Sequence, residues 1–248
     1  MVKKSALTIG LVVAAAGYAA ATGGSIVSSF RSPHAATAPR GMAYAPDHSR
    51  LYHVSSDSSY IFATDTSGSI VKSFSCPANT RGVEGLGQSL GHGFWTCSFS
   101  PAVAYRVSTT GSIVSSFAAL SRPNGLTREG DYIWLSSETS NVIYKHRTTG
   151  SLVASFASPA GVSSGLDWDG NHLWLADANT GSKIYQLTTT GSVRRALKVP
   201  VGRASGVAFD GTHVWYCDLM SPKYVYRITI GKIAVEPASF GRVKALFR

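Results

Sequence analysis

Five side chains, Arg40, Glu84, Asn124, Ser164 and Ser205, each stand immediately before a glycine that opens a β-type segment. The segments are Gly41-Met42-Ala43-Tyr44, Gly85-Leu86-Gly87, Gly125-Leu126-Thr127, Gly165-Leu166-Asp167-Trp168 and Gly206-Val207-Ala208-Phe209. A guanidinium, a carboxyl, a carboxamide and two hydroxyls at equivalent places form the mixed donor and acceptor set that a specific polar ligand requires. Arg122 and Arg203 lie two residues before Asn124 and Ser205. Glu138, Asp177 and Asp218, with Asp57, follow an aromatic-bearing segment and belong to the same end of the unit. Three uses are open to such a set. It can bind a ligand. It can do acid–base chemistry, since a carboxyl such as Glu84 held away from water has a raised pKa and exchanges protons near neutrality, here beside Arg40 and Asn124. Or it can cap loops, with Glu84 and Arg40 in a solvated ion pair that contributes only about 0–1 kcal/mol.

Other chemistries find little support. Of seven histidines, His48, His92, His172 and His213 fall at a turn on the opposite side of the unit, while His34, His53 and His146 stand alone in the sequence. A zinc site needs three or four converging ligands, and no such spacing occurs. No nucleophile elbow, phosphate loop or EF-hand pattern is present. No cofactor is implied, although Asp177 with Asn179, or Asp218, could hold a calcium ion through loop oxygens. Cys97 and Cys217 occupy equivalent places two residues after Trp95 and Trp215, where other repeats have Val54, Ser136 and Ala176, so both read as small core residues. A Cys76–Cys97 bridge stays open as an alternative in an oxidising compartment.

The elements that must position these groups come from a repeat. Gly24, Gly68, Gly111, Gly150 and Gly191, each in a Thr-x-Gly-Ser-like turn, are separated by 44, 43, 39 and 41 residues. Each turn leads into a short β segment such as Ser112-Ile113-Val114-Ser115-Ser116-Phe117, then a loop, then the glycine-opened segment. Asp169-Gly170 and Asp210-Gly211 mark hairpin turns in which both residues are expected at positive φ. Two further segments carry Tyr52, Trp95, Trp134, Trp174 and Trp215, and then Phe62, Tyr105, Tyr144, Tyr185 and Tyr226. Four short strands in about 42 residues, joined as a meander, make a propeller blade. A single blade cannot bury both faces, so blades stack around an axis with the recurrent aromatics between them. The reading is an all-β propeller of five blades, with Ser25–Phe30 clasping the last blade. A six-bladed ring, its last blade built from both termini, is the alternative, because Gly231-Lys232-Ile233-Ala234-Val235 also falls where an outer strand is due.

In layout the chain resembles NHL-type and virginiamycin-B-lyase-like propellers, most closely in Gly165-Leu166-Asp167-Trp168-Asp169-Gly170 and Leu173-Trp174-Leu175-Ala176-Asp177. The resemblance covers nearly the whole chain after residue 21 and implies the fold. Lyases of that kind use a metal with a His/Glu set near the axis; no matching motif occurs here, so no catalytic residue carries over. Plant-type glutamine cyclotransferases are similar in having five blades, again without their site motifs.

Residues 1–21 read as a secretory signal: Lys3 and Lys4, an apolar run from Ala6 to Ala21, and small residues at its end. Residues 22–236 form the propeller and residues 237–248 a basic C-terminal strand or tail. The chain is 248 residues with net charge +10, and its basic residues are scattered rather than striped, which argues against nucleic acid. The functional expectation is a secreted, periplasmic or extracellular module binding a protein or carbohydrate. Its tail can associate with the envelope by strand addition, and no transmembrane segment remains after residue 21. The alternative is a propeller enzyme of the lyase, lactonase or cyclotransferase kind.

Overall fold

The computed structural model describes residues 22–35, 37–86 and 93–231. The expected signal segment and basic tail, together with the C-terminal candidate strand from Lys232 onward, lie outside them. The chain enters as β1 (Thr22–Gly23) and β2 (Ile26–Arg31). Blade 1 is β3 (Pro39–Ala45), β4 (Arg50–Ser55), β5 (Tyr60–Thr64) and β6 (Ile70–Ser75). Blade 2 is β7 (Thr80–Leu86), β8 (Gly93–Ser98), β9 (Val103–Val107) and β10 (Ile113–Ala118). Blade 3 is β11 (Pro123–Glu129), β12 (Tyr132–Ser137), β13 (Val142–Arg147) and β14 (Leu152–Ala157). Blade 4 is β15 (Ser163–Trp168), β16 (Leu173–Asp177), β17 (Lys183–Leu187) and β18 (Val193–Lys198). Blade 5 is β19 (Ala204–Phe209), β20 (His213–Asp218) and β21 (Tyr224–Thr229), completed by β2.

The result is a five-bladed propeller, each blade an antiparallel meander of four strands. The ring is clasped by the N-terminal segment: β2 pairs with β21 with Ile26 opposite Ile228 and Phe30 opposite Val225. β1 adds in parallel to the outer edge of blade 4. Inner strands pack in sequence from β3 through β7, β11 and β15 to β19 and back to β3. Non-neighbours also approach across the axis, β3 with β15 and β7 with β15, so the central channel is narrow.

That closeness is set by one glycine per blade. A Cβ on Gly41 would stand 2.3 Å from the Arg81 carbonyl oxygen, on Gly82 2.6 Å from the Leu126 nitrogen, and on Gly125 2.2 Å from the Ser164 carbonyl oxygen. On Gly165 it would stand 2.6 Å from the Gly206 Cα, and on Gly206 3.0 Å from the Arg40 carbonyl oxygen. Backbone meets backbone at these points, and no side chain fits between.

Between blades the recurrent tryptophans are buried as expected, with Trp134, Trp174 and Trp215 each 0% exposed, while Tyr52, Phe62, Tyr105, Tyr144, Tyr185 and Tyr226 are half-buried. At the hairpin turns only the glycine takes a positive φ, 96° at Gly170 and 93° at Gly211. The aspartate therefore precedes the turn instead of sitting in it. From there Asp169 Oδ1 accepts the Asn171 and His172 N–H groups, and Asp210 Oδ1 those of Thr212 and His213.

Candidate functional site

The inner hairpins share a β-bulge at one end of the channel. Register skips between Pro39 and Gly41, Thr80 and Gly82, Pro123 and Gly125, Ser163 and Leu166, and Ala204 and Gly206. The extra residue in each blade is thus Arg40, Arg81, Asn124, Ser164 or Ser205. A bulge re-aims its side chain, and here it turns one residue per blade toward the mouth. Glu84 is not among them, contrary to the sequence reading. The strand-opening glycine of blade 2 is Gly82, opposite Cys97 as Gly41 is opposite Val54, and Glu84 lies two residues deeper. The signal for the correct frame was the Arg-Gly pair common to 40–41 and 81–82.

The bulged residues form a relay from blade to blade. Arg81 Nη1 donates to Asn124 Oδ1 and Glu138 Oε2, each at 3.2 Å. Asn124 Nδ2 donates to Glu138 Oε2 at 3.0 Å, and to the Ser163 carbonyl and Ser164 Oγ at 3.3 Å. Ser164 Oγ donates to the Ser205 carbonyl at 2.6 Å, and Ser205 Oγ to the Pro39 carbonyl at 2.7 Å. Asn124, Ser164 and Ser205 are fully buried by this arrangement; they brace the mouth and do not line it.

The relay stops at Arg40. Its Nε and that of Arg81 are buried with no partner among the described residues. Burial, and then the Arg40 charge, lowers the pKa of Arg81. The Arg81 guanidinium lies 3.7 Å from the Phe99 ring centre and that of Arg122 5.2 Å from it, so one ring carries two cations. Arg203 Nη2 donates to Thr180 Oγ1 at 3.1 Å.

Two of the acids near the mouth, Asp177 and Asp218, are turned inward, while Asp57 is exposed. Asp177 accepts the N–H groups of Gly161, Val162 and Asn179. Asp218 Oδ1 accepts those of Arg203 and Met220 at 2.8 Å, and Asp57 Oδ2 accepts Ala38 N–H at 3.4 Å. These are loop caps, whose lone pairs are engaged by backbone. Glu138 is the candidate acid that meets an arginine. No group of three or more His, Cys, Asp or Glu side chains gathers as metal ligands among the described residues.

Deeper in the channel, Glu84 and Asp167 come from blades 2 and 4. Thr127 Oγ1 donates to Glu84 Oε2 at 2.9 Å, and Asp167 Oδ2 accepts the Phe209 N–H at 2.6 Å. Desolvation pushes Glu84 up to about 7 against the Thr127 hydrogen bond and the Arg128 charge. Asp167 is raised well above the carboxylate range by desolvation first and by the Glu84 charge second. Of the pair, Glu84 therefore exchanges a proton near neutrality.

Two histidines that stand apart in sequence meet in the fold. His34 Nε2 and the His53 carbonyl are 3.2 Å apart, and His53 Nε2 and Thr64 Oγ1 2.8 Å apart. Burial lowers the pKa of both, that of His53 to about 3, so the pair is neutral. The three thiols are free and buried, and desolvation pushes Cys97 up to about 12. Cys97 and Cys217 pack against Gly82 and Gly206 as core residues.

On the opposite face, acids before or within the hairpin turns serve the blade tryptophans. Trp134 Nε1 donates to Glu129, Trp174 Nε1 to Asp169 and Trp215 Nε1 to Asp210 at 2.7, 2.9 and 2.8 Å. Lys145, Gln186 and Arg227 approach the same acids. His172 and His213 lie on this face as expected, while His92 falls outside the described residues.

No family profile matches the sequence, and no characterised protein is recognisably similar to it in sequence. Similarity appears in three dimensions. Glutaminyl cyclase of Myxococcus xanthus superimposes with a TM-score of 0.66 at 12% identity, over 84% of this chain and 97% of that one. Virginiamycin B lyase of Staphylococcus aureus gives a TM-score of 0.50 at 20% identity, over 82% of this chain and 69% of that one. At these identities what is shared is the β-propeller fold, which hosts many functions.

Proposed function

We propose that this propeller is a binding module that holds a carboxylate-bearing ligand or partner at the channel mouth, and that it works outside the cytoplasm or at the cell envelope. The observation that carries the reading is Arg40 beside Arg81. Two guanidinium groups from adjacent blades share the mouth, each with a buried Nε that has no partner among the described residues, and the Glu138 carboxylate pairs with Arg81. A carboxylate accepting from both would relieve their repulsion and complete the blade-to-blade relay. Arg122 and Arg203 enlarge the positive rim, and the +10 net charge of the chain would speed encounter with an anion. The apolar run behind Lys3 and Lys4 supports export. The test is calorimetric titration of residues 22–248 with a short polyglutamate peptide. Binding should weaken with salt and fall at least tenfold in Arg40→Gln, as loss of a charge-assisted hydrogen bond of about 1.5–3 kcal/mol requires. An unchanged affinity in Arg40→Gln rejects the reading.

One observation favours a catalytic alternative. Glu84, raised to about 7, and Asp167, raised well above the carboxylate range, are interacting carboxyls of the kind general acid–base chemistry uses. The narrow channel counts against access. A substrate whose turnover is abolished by Glu84→Gln, in a protein that still folds, would establish catalysis.

A further inference from the structure

A cavity of about 470 Å³ opens on the face opposite the mouth, between blades 2 and 3. The repeat itself explains why it lies there. The residue three positions after the ring glycine projects into the seam with the preceding blade, and in the five blades it is Tyr44, Gly85, Arg128, Trp168 and Phe209. Phe209 stacks on Trp174 with ring centres 5.5 Å apart. Trp168 packs in the cluster around Trp134, and Tyr44 in the cluster around Trp215. Opposite Gly85 the space is taken by Tyr52, whose ring lies 5.0 Å from that of Phe94. Four seams are therefore filled by aromatic packing. In the remaining one the place belongs to a guanidinium, that of Arg128, facing Trp95 across an open volume.

Arg106 and Arg128 supply two cations, and Ser115, Ser116, Thr148 and Thr149 supply four hydroxyls. Among the described lining residues Asp131 is the one carboxylate beside the two arginines. Thr148 and Thr149 come from the repeated turn before β14, so a common structural turn here doubles as pocket wall. Trp95 is 3% exposed and forms a rigid side of the cavity. Volumes of this size hold a small ligand. Paired guanidiniums select a carboxylate or other planar oxyanion, and a rim of hydroxyls, each both donor and acceptor, suits a polyhydroxylated body.

We infer that this seam is a second binding site, distinct from the channel mouth, which takes an acidic sugar. The carboxylate pairs with Arg128 and Arg106, and the ring hydroxyls meet the serines and threonines. The experiment is titration of residues 22–248 with glucuronate, glucose and inorganic phosphate. Glucuronate should bind saturably, at least tenfold more tightly than glucose or phosphate. Arg128→Phe, which installs the residue found in blade 5, should fill the cavity and abolish binding while the thermal midpoint holds or rises. Ser116→Ala, on the exposed outer strand, should weaken glucuronate several-fold even if Arg128→Phe fails to fold. Arg194→Gln, an exposed arginine on the outer strand of blade 4, should leave glucuronate affinity unchanged. Absence of saturable binding overturns the proposal, as does equal affinity for phosphate or retained binding in a folded Arg128→Phe. Loss of glucuronate binding in Arg40→Gln would instead move the ligand to the mouth.

Discussion

Glu84 shows how far three residues matter. Placed at the mouth it would be a solvated partner of Arg40; in the channel it is a half-buried carboxyl held by Thr127. Its folded pKa of about 7 stands above the ordinary 4.5, so the folded state binds the extra proton between those pH values. Stability therefore falls as pH rises from 4.5 toward 7, and the whole penalty stands above 7. Glu84→Gln keeps an acceptor for Thr127 and removes the charge. It should stabilise the protein by roughly 1–3 kcal/mol near pH 8 and by almost nothing near pH 4, measured by urea denaturation at both. Equal effects at the two pH values would mean that Glu84 is solvated. The sequence disclosed a carboxyl with this potential but misjudged its depth, because blade 2 carries Gly82, Gly85 and Gly87 close together and local pattern cannot choose among them. The buried His34–His53 contact was illegible for a related reason: the His34 ring reaches the His53 carbonyl from a loop rather than through strand periodicity.

At the level of strands and turns, the same repeat that made the fold legible hid the devices that differentiate its blades. Periodicity gave four strands per unit and the aromatic layer, since both follow from spacing alone. It could not give the bulges, which add a residue without changing the hydrophobic pattern. Inner bulges aim Arg40 and Arg81 at the mouth and set Asn124 beside Arg81 as a buried brace. Outer strands carry their own register skip, between Ile70 and Lys72, Ile113 and Ser115, and Leu152 and Ala154 among others. The skipped residues Val71, Val114 and Val153 are exposed, and such bulges blunt edges that would otherwise recruit further strands. The ring glycines are the rigid counterpart. Gly125→Ala sets a methyl group against the backbone of Ser164 and Leu166, and should cost about 3 kcal/mol. Gly23→Ala, with nothing within 4 Å of the added carbon, should be neutral in the same chemical denaturation series. Equal losses would show that the inner strands have room to separate.

The whole molecule is a circle closed by its beginning. Phe30, carried by β2, lies 6.2 Å from the Trp215 ring and 6.0 Å from that of His53, so the clasp joins blade 5 to blade 1 as well as finishing a sheet. Sequence raised this closure and its six-bladed rival together, because residues at both ends match the outer-strand pattern; pairing of Ile26 with Ile228 decides for five blades. Deleting residues 22–31 should therefore abolish cooperative unfolding. A permutant that joins Gly231 directly to Gly24 should restore it, since Thr229-Ile230-Gly231-Gly24-Ser25 then spans the same gap as Ser108-Thr109-Thr110-Gly111-Ser112. A deleted protein that still melts sharply would show that four and three-quarter blades suffice.

Closure by the opening strand also sets an order of events. β2 is made before every strand of the blade it completes, and it waits until some two hundred residues have followed it. A contact so distant along the chain is slow to form. While it waits, blade 5 offers the unpaired edge of β21 to any matching strand nearby, including the opening strand of another copy. At high concentration the ring is therefore exposed to exchange between molecules, and its safeguard is kinetic: the tethered strand must arrive before a stranger does.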